Sequence, residues 1–176
     1  MHKSLINSLT AIFLGIATLS ASARELPKAW RLPTQKELSY FERNDSPSKY
    51  ARVVADFNGD GIDDEALLLK STGFSGEALW IYLSTGTNTA QWFKLNEIKW
   101  GPQYPEVDLA MGIDVAAPGV HEYACFEGAK DCNFNRPRPK LKLRDPSLRY
   151  FKFGSAASLY FWSNKSNKFL RVWVSD

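Results

Sequence analysis

The pattern of apolar and polar positions changes period near Tyr50. Ahead of it, Pro27 and Pro33 bracket an extended lead-in. Thr34-Gln35-Lys36-Glu37 then carries the capping-box pattern, in which Thr caps a helix and Glu reaches back to the cap. With Leu38, Phe41 and Trp30 as its apolar face, this predicts a short N-terminal helix of about two to three turns. Asn44-Asp45-Ser46-Pro47 stops it. From Tyr50 to Ala55, and again over 65–70, 78–83 and 91–95, short runs rich in Val, Leu, Ile and aromatic residues predict four strands. Turn-forming segments separate them at 71–76 and 84–88, and an acidic stretch fills the gap after Ala55. The region 50–95 therefore reads as a β-meander with an acidic loop in its first hairpin.

Downstream the pattern is less regular. Trp100-Gly101-Pro102 to Pro105 interrupts it, 109–115 suits a strand, and 118–132 reads as an irregular excursion. Pro137 and Pro139 exclude helix and central strand. Lys140-Leu141-Lys142-Leu143-Arg144 alternates strictly, so its leucines face one way and its cations the other. A strand at 150–153 and a hairpin of 158–162 with 169–174 complete the chain. The expected fold is mainly β (α+β): an antiparallel meander, sandwich-like, forming a single domain over residues 24–176.

The first 23 residues carry a different signal. Met1-His2-Lys3 precedes an apolar stretch from Leu5 to Leu19, and Ala21-Ser22-Ala23 has the small-x-small form cut by signal peptidases. We read 1–23 as a secretory signal peptide cleaved after Ala23, which makes the protein periplasmic or secreted. A buried helix or membrane anchor is the competing reading. A spanning helix needs roughly 20 apolar residues, and this stretch is shorter and interrupted by polar ones. No cysteine lies near the cut to carry a lipid, and no other stretch is apolar enough for a membrane span.

Composition adds little beyond size and packing. An aromatic content of 14% argues for a packed fold. The formal charge of +3, lowered by one unit when Lys3 leaves with the leader, is too mild to point to nucleic acid. The two cysteines, Cys125 and Cys132, read as a disulfide in an oxidising compartment, with an expected stabilisation of roughly 2–3 kcal/mol. The alternative is a reactive thiol, because His121 lies four residues before Cys125. Pro118-Gly119 argues against the helix that such a pairing would use.

The sharpest chemistry lies in Asp56-Phe57-Asn58-Gly59-Asp60-Gly61-Ile62-Asp63-Asp64. Counting from Asp56, Asn58 takes the third place, Asp60 the fifth, Ile62 the seventh and Asp64 the ninth. A calcium loop uses side-chain oxygens at one, three and five, a backbone carbonyl at seven and a further group at nine. Gly61 occupies the sixth place, where the chain turns sharply. Oxygen-only ligands favour Ca2+ over zinc. The twelfth place holds Leu67 instead of a bidentate Glu, and the flanks read as strands, so an EF-hand is disfavoured. The stretch from Ala55 to Asp64, followed by a hydrophobic strand, resembles the calcium-binding β-hairpin loop of FG-GAP/VCBS-type repeats. That resemblance implies ligands at Asp56, Asn58, Asp60, the Ile62 carbonyl and Asp64. Propellers of that type need several blades, and this chain has a single copy, so the loop carries over and the propeller does not. The competing reading is a metal-free turn, since Asn-Gly and Asp-Gly form hairpins unaided. An occupied loop would hold calcium structurally, with an affinity on the order of 10⁻⁴ to 10⁻³ M.

Catalytic sets are sparse. His121 is the only imidazole outside the leader, with no Gly-x-Ser-x-Gly partner. Paired carboxylates could run glycoside chemistry, with Glu77, Glu97, Glu106, Asp108, Asp114, Glu122 and Glu127 as candidates, but no spacing singles out a pair. A basic stretch comprises Lys130, Arg136, Arg138, Lys140, Lys142, Arg144, Arg149 and Lys152, with Arg136 to Arg144 as the candidate contact. It is either a solvated strand face or a docking surface for an acidic partner in the cell envelope, protein or polymer, with nucleic acid disfavoured by export. The resulting expectation is a non-enzymatic exported binding module, an inhibitor or immunity protein that neutralises an envelope-acting toxin or enzyme. The alternatives are a carboxylate-dependent envelope hydrolase, or a polysaccharide-adhesion module using Trp80, Trp92 or Trp100.

Overall fold

The computed structural model describes residues 24–85, 91–104, 107–130 and 137–175. The proposed leader, residues 86–88 of the turn expected at 84–88, Glu106, Cys132 and Arg136 lie outside the described residues. The fold is mainly β and antiparallel. Its strands are β1 (Trp30–Arg31), β2 (Arg52–Ala55), β3 (Asp64–Ser71), β4 (Gly76–Leu83), β5 (Gln91–Lys99), β6 (Met111–Ala116), β7 (Gly119–Glu122), β8 (Cys125–Phe126), β9 (Lys140–Leu143), β10 (Ser147–Lys152), β11 (Ala157–Ser163) and β12 (Lys168–Ser175).

The predicted meander forms the first sheet. β3, β4 and β5 are successive antiparallel neighbours, while β1 and β2 lie end to end along the other edge of β3. The second sheet runs β6-β10-β11-β12-β8, and β7 with β9 forms a separate two-stranded ribbon. One apolar core draws on both sheets. Ala66, Leu68, Leu79 and Ile81 come from the first; Ile113, Leu148, Tyr150 and Tyr160 come from the second. The unbroken run Leu67-Leu68-Leu69 follows from burial of both faces of β3. Leu68 enters the shared core. On the opposite face, Trp30 of the N-terminal segment packs edge-on against Trp80, with ring centroids 5.8 Å apart.

The expected N-terminal helix is not formed. The capping box is real: Thr34 N donates to Glu37 Oε2 at 2.7 Å, and Glu37 N donates to Thr34 Oγ1 at 3.3 Å. It closes one turn, followed by a 3-10 segment, Phe41–Asp45. A helix this short cannot offset its nucleation cost without a buried apolar stripe. Here Phe41 is 68% exposed, and Trp30 belongs to β1. The excursion expected at 118–132 contains two strands, β7 and β8. Both are too short to show a period in the sequence.

The chain crosses from the first sheet to the second through 107–111, whose backbone is satisfied by buried side chains. Glu77 accepts Ala110 N and Met111 N at 2.8 and 3.0 Å. Arg43 donates to the carbonyls of Lys49, Leu109 and Met111, and Lys70 Nζ to that of Val107. Glu77 and Arg43 are fully buried and Lys70 nearly so. Burial pushes the Glu77 carboxyl up, while the two amides, Lys70 and Arg43 draw it back. These charges replace a strand partner for a connection that would otherwise bury unpaired amides and carbonyls.

Candidate functional site

The acidic loop joins β2 to β3, closed by the pairing of Ala55 with Asp64. Phe57 is fully buried and anchors it to the core. Gly59 and Gly61 sit at φ of 75° and 84°, the left-handed region that favours glycine. The Asp56 carboxylate organises the turn: Oδ1 accepts Gly59 N at 2.7 Å and Asp60 N at 3.1 Å, and Oδ2 accepts Gly61 N at 2.8 Å. Asn58 Oδ1 accepts Asp60 N at 3.0 Å, while its amide donates to Asp60 Oδ2. Asp60 Oδ1 accepts the Ile62 amide at 2.9 Å. Asp56, Asn58 and Asp60 are thus gathered by the turn itself.

Asp64 behaves differently. It is fully buried, and its two oxygens accept Phe57 N and Ser84 N, both at 2.9 Å. Burial pushes its carboxyl up to about 6; the Ser84 and Phe57 amides oppose the rise, and Asp60 and Asp56 add to it. Among the described residues, no three His, Cys, Asp or Glu side chains form a group that could hold a metal ion. The donor chemistry at the loop is nevertheless all oxygen, which suits a hard cation. Asp56 Oδ2 and both Asp60 oxygens each accept one bond and keep a second lone pair, whereas Asp56 Oδ1 already accepts two amides. Asp64 is the predicted ligand that fits least well. A residue the sequence marked only as part of a turn lies close by. The Asp145 carboxylate, between β9 and β10, is 3.0 Å from where a Cβ on Gly59 would stand.

The basic stretch divides by function. Leu141 and Leu143 join a second apolar cluster with Leu159, Phe161 and Val172 on the outer face of the second sheet. Lys140 and Lys142 lie opposite Glu122 and Val120 and are exposed, as is Arg144. Arg138 instead donates to the Val174 carbonyl and helps dock the ribbon on β12. Cys125 is buried in β8, opposite Trp173, and the described residues include no free cysteine. Its expected partner Cys132 is outside them.

Where the ribbon stops covering the second sheet, a cleft of about 890 Å³ opens. Its floor is the outer face of β6, β10 and β11. Phe151 lies over Gly112, where a Cβ would meet the ring at 2.6 Å. The Arg149 guanidinium stacks 4.7 Å above that ring. Arg149 is exposed and makes no hydrogen bond or ion pair among the described residues. Asp114 is its cross-strand partner, with Oδ1 on the Val115 amide. Val120, His121 and Glu122 of β7 form one wall, and Glu42 and Asp45 of the 3-10 segment contribute another. His121 Nε2 is 2.9 Å from the Ala117 carbonyl.

Of the carboxylates considered for hydrolysis, only Asp114 and Glu122 share this cleft. Glu77 is committed to the crossover, Glu97 is paired with Lys94 and Lys99, and Glu127 is paired with Arg171. Trp80 packs against Trp30, and Trp92 Nε1 donates to the Glu25 carbonyl, so the N-terminal segment covers both. The sequence did not single out the cleft because its parts come from segments far apart in the chain. The one local sign was Arg149 between the buried positions Leu148 and Tyr150. Searches of protein-family models, curated proteins and solved structures find no match to this chain.

Proposed function

We propose that this chain is an exported, non-enzymatic binding protein that engages a partner protein in the cell envelope, as an inhibitor or immunity protein would. Arg149 carries this reading. A side chain held over an aromatic ring, on the floor of a wide cleft and without a hydrogen-bond or ion-pair partner among the described residues, is an anchor open to a ligand. The exposed cations of the ribbon, Lys140 and Lys142, extend the contact area beside it. The FG-GAP/VCBS-like loop serves this reading as a structural clamp: calcium held by Asp56, Asn58 and Asp60 would neutralise the carboxylates of the first hairpin. The bridge between Cys125 and Cys132 would fix the segment after β8 in the same way.

The test is site-specific photo-crosslinking in envelope preparations, with the probe at Val120 on the cleft wall and a control probe at Lys165 in the β11–β12 turn. A partner band from Val120 alone, lost in R149E, supports the reading. Equal labelling from both positions, or none from Val120, overturns it. A hydrolase is the second reading, supported by Asp114 and Glu122 lining the same cleft. Turnover of envelope polysaccharide that disappears in both D114N and E122Q would establish it in place of the first.

A further inference from the structure

The cleft carries charge of both signs in a definite arrangement. Arg149 stands on the floor, and Lys152 lines the cleft near it. Against them stand Glu42 and Asp45 on one wall, Glu122 on another, and Asp114 beside Arg149. The rest of the floor is apolar, supplied by Phe151 and Leu159 among others. Glu122 is already answered by Lys140 Nζ at 4.0 Å, but a simple polyanion would still meet Glu42, Asp45 and Asp114 and be repelled. A simple polycation would suit the walls but cover Arg149 without a counter-charge, and an unpaired charge removed from water is costly. A neutral ligand would leave both signs unanswered. The occupant that satisfies the whole surface bears a carboxylate and a cation on a short apolar or neutral frame.

Resting on the reading that the cleft is a protein-recognition site, we propose that its occupant is a peptide segment of the partner with one acidic and one basic side chain close together. The acidic group pairs with the Arg149 guanidinium, which presents two parallel N–H donors to a carboxylate. The basic group meets the carboxylates of Glu42 and Asp45. The acidic side chain supplies specificity, because Arg149 is the one guanidinium among the described residues that line the cleft. The basic one supplies orientation, because the acidic walls flank the floor.

The experiment is an amide-shift NMR titration of the folded chain with capped pentapeptides. The probes are Gly-Glu-Gly-Lys-Gly and two controls, Gly-Gln-Gly-Lys-Gly and Gly-Glu-Gly-Gln-Gly. The expected result is saturable shifts confined to the amides of 112–116, 120–122 and 149–155. Affinity should fall at least fivefold when either charge is removed. R149Q should abolish the difference between the Glu and Gln peptides, and E42Q/D45N the difference between the Lys and Gln peptides. Arg149, Glu42 and Asp45 all lie outside the shared core, and the amide spectrum reports whether each variant is folded. Equal binding of all three peptides, no saturation by 20 mM, or shifts centred on 140–144 would overturn the proposal. If the peptides fail while crosslinking at Val120 persists, the cleft still binds a partner, but not through a mixed-charge segment.

Discussion

Glu77 and Arg149 make a useful comparison. Glu77 turns both carboxylate oxygens onto backbone amides of the crossover, in a cluster with Arg43 and Lys70 that is closed to water. Arg149 turns its guanidinium onto a ring and into an open cleft, with Asp114 beside it and no hydrogen bond or ion pair among the described residues. The first arrangement is charge used up by the chain's own backbone, and it answers a structural need: amides and carbonyls buried between two sheets without a strand partner. The second answers no need of the fold. The difference separates charges that hold the molecule together from those left over for something else, and it makes opposite claims about what each substitution does.

The largest effect belongs to the buried cluster. E77A removes both acceptors for Ala110 and Met111 and takes away the larger of the two negative charges that face Arg43, Asp108 being the other. We expect a loss of about 3–5 kcal/mol in urea unfolding, because two buried amides lose charged acceptors and a buried charge cluster loses its carboxylate. A loss below about 1 kcal/mol would break the comparison, since the crossover would then not depend on its charges.

The contrast also explains what the sequence revealed. The strands at 65–70, 78–83 and 158–162 could be read because their apolar runs are local and continuous, and both faces of β3 and β4 are covered. The hairpin loop was equally plain, because Asp56, Gly59 and Gly61 act through neighbours a few residues away. The N-terminal helix misled because a capping box reports the first turn only, and Arg31 and Thr34 hold Glu37 without any helix beyond. Glu77, Asp114 and Glu122 looked alike as lone carboxylates. Burial against 107–111 makes the first structural, and a shared cleft makes the other two neighbours. Both facts come from strand order, which no local spacing encodes. For the same reason Asp145 read as a turn residue and not as a neighbour of the acidic loop.

The acidic loop lies between the two cases, since its own amides satisfy Asp56 and Asp60 yet leave them acceptor capacity. Calcium at 10 mM is expected to raise stability by about 1.4–2.7 kcal/mol for an affinity on the order of 10⁻³ to 10⁻⁴ M. The gain should disappear in D56N. Thermal melts with and without the ion measure it, and identical melts would reduce the loop to a self-sufficient turn. A smaller electrostatic effect is expected at Glu37, whose carboxyl is lowered to about 2, first by its bond with Arg31 and then by Thr34. A carboxyl depressed in the folded state contributes fully above its unfolded value near 4.5, and the contribution is lost as pH falls toward 2. Arg31 is 41% exposed, so screening reduces the contribution to about 1 kcal/mol. E37Q should flatten that part of the acid limb in pH-dependent unfolding. An unchanged limb would show that the capping turn is not held by charge.

Arg149 gives the smallest stability effect and the clearest test of the comparison. R149Q removes a cation that the fold does not use, so unfolding should shift by no more than about 0.5 kcal/mol, as for other surface changes away from packing and hydrogen bonds. Only the stacking on Phe151 is given up. At an exposed site such stacking is worth roughly 0.5–1 kcal/mol at most, part of which the Gln side chain regains by lying on the same ring. The same substitution should abolish crosslinking from Val120. Stability retained while binding disappears is the signature of a charge kept for a partner. If R149Q instead unfolded the protein as E77A does, Arg149 would join Glu77 on the structural side, and the cleft would lose its anchor.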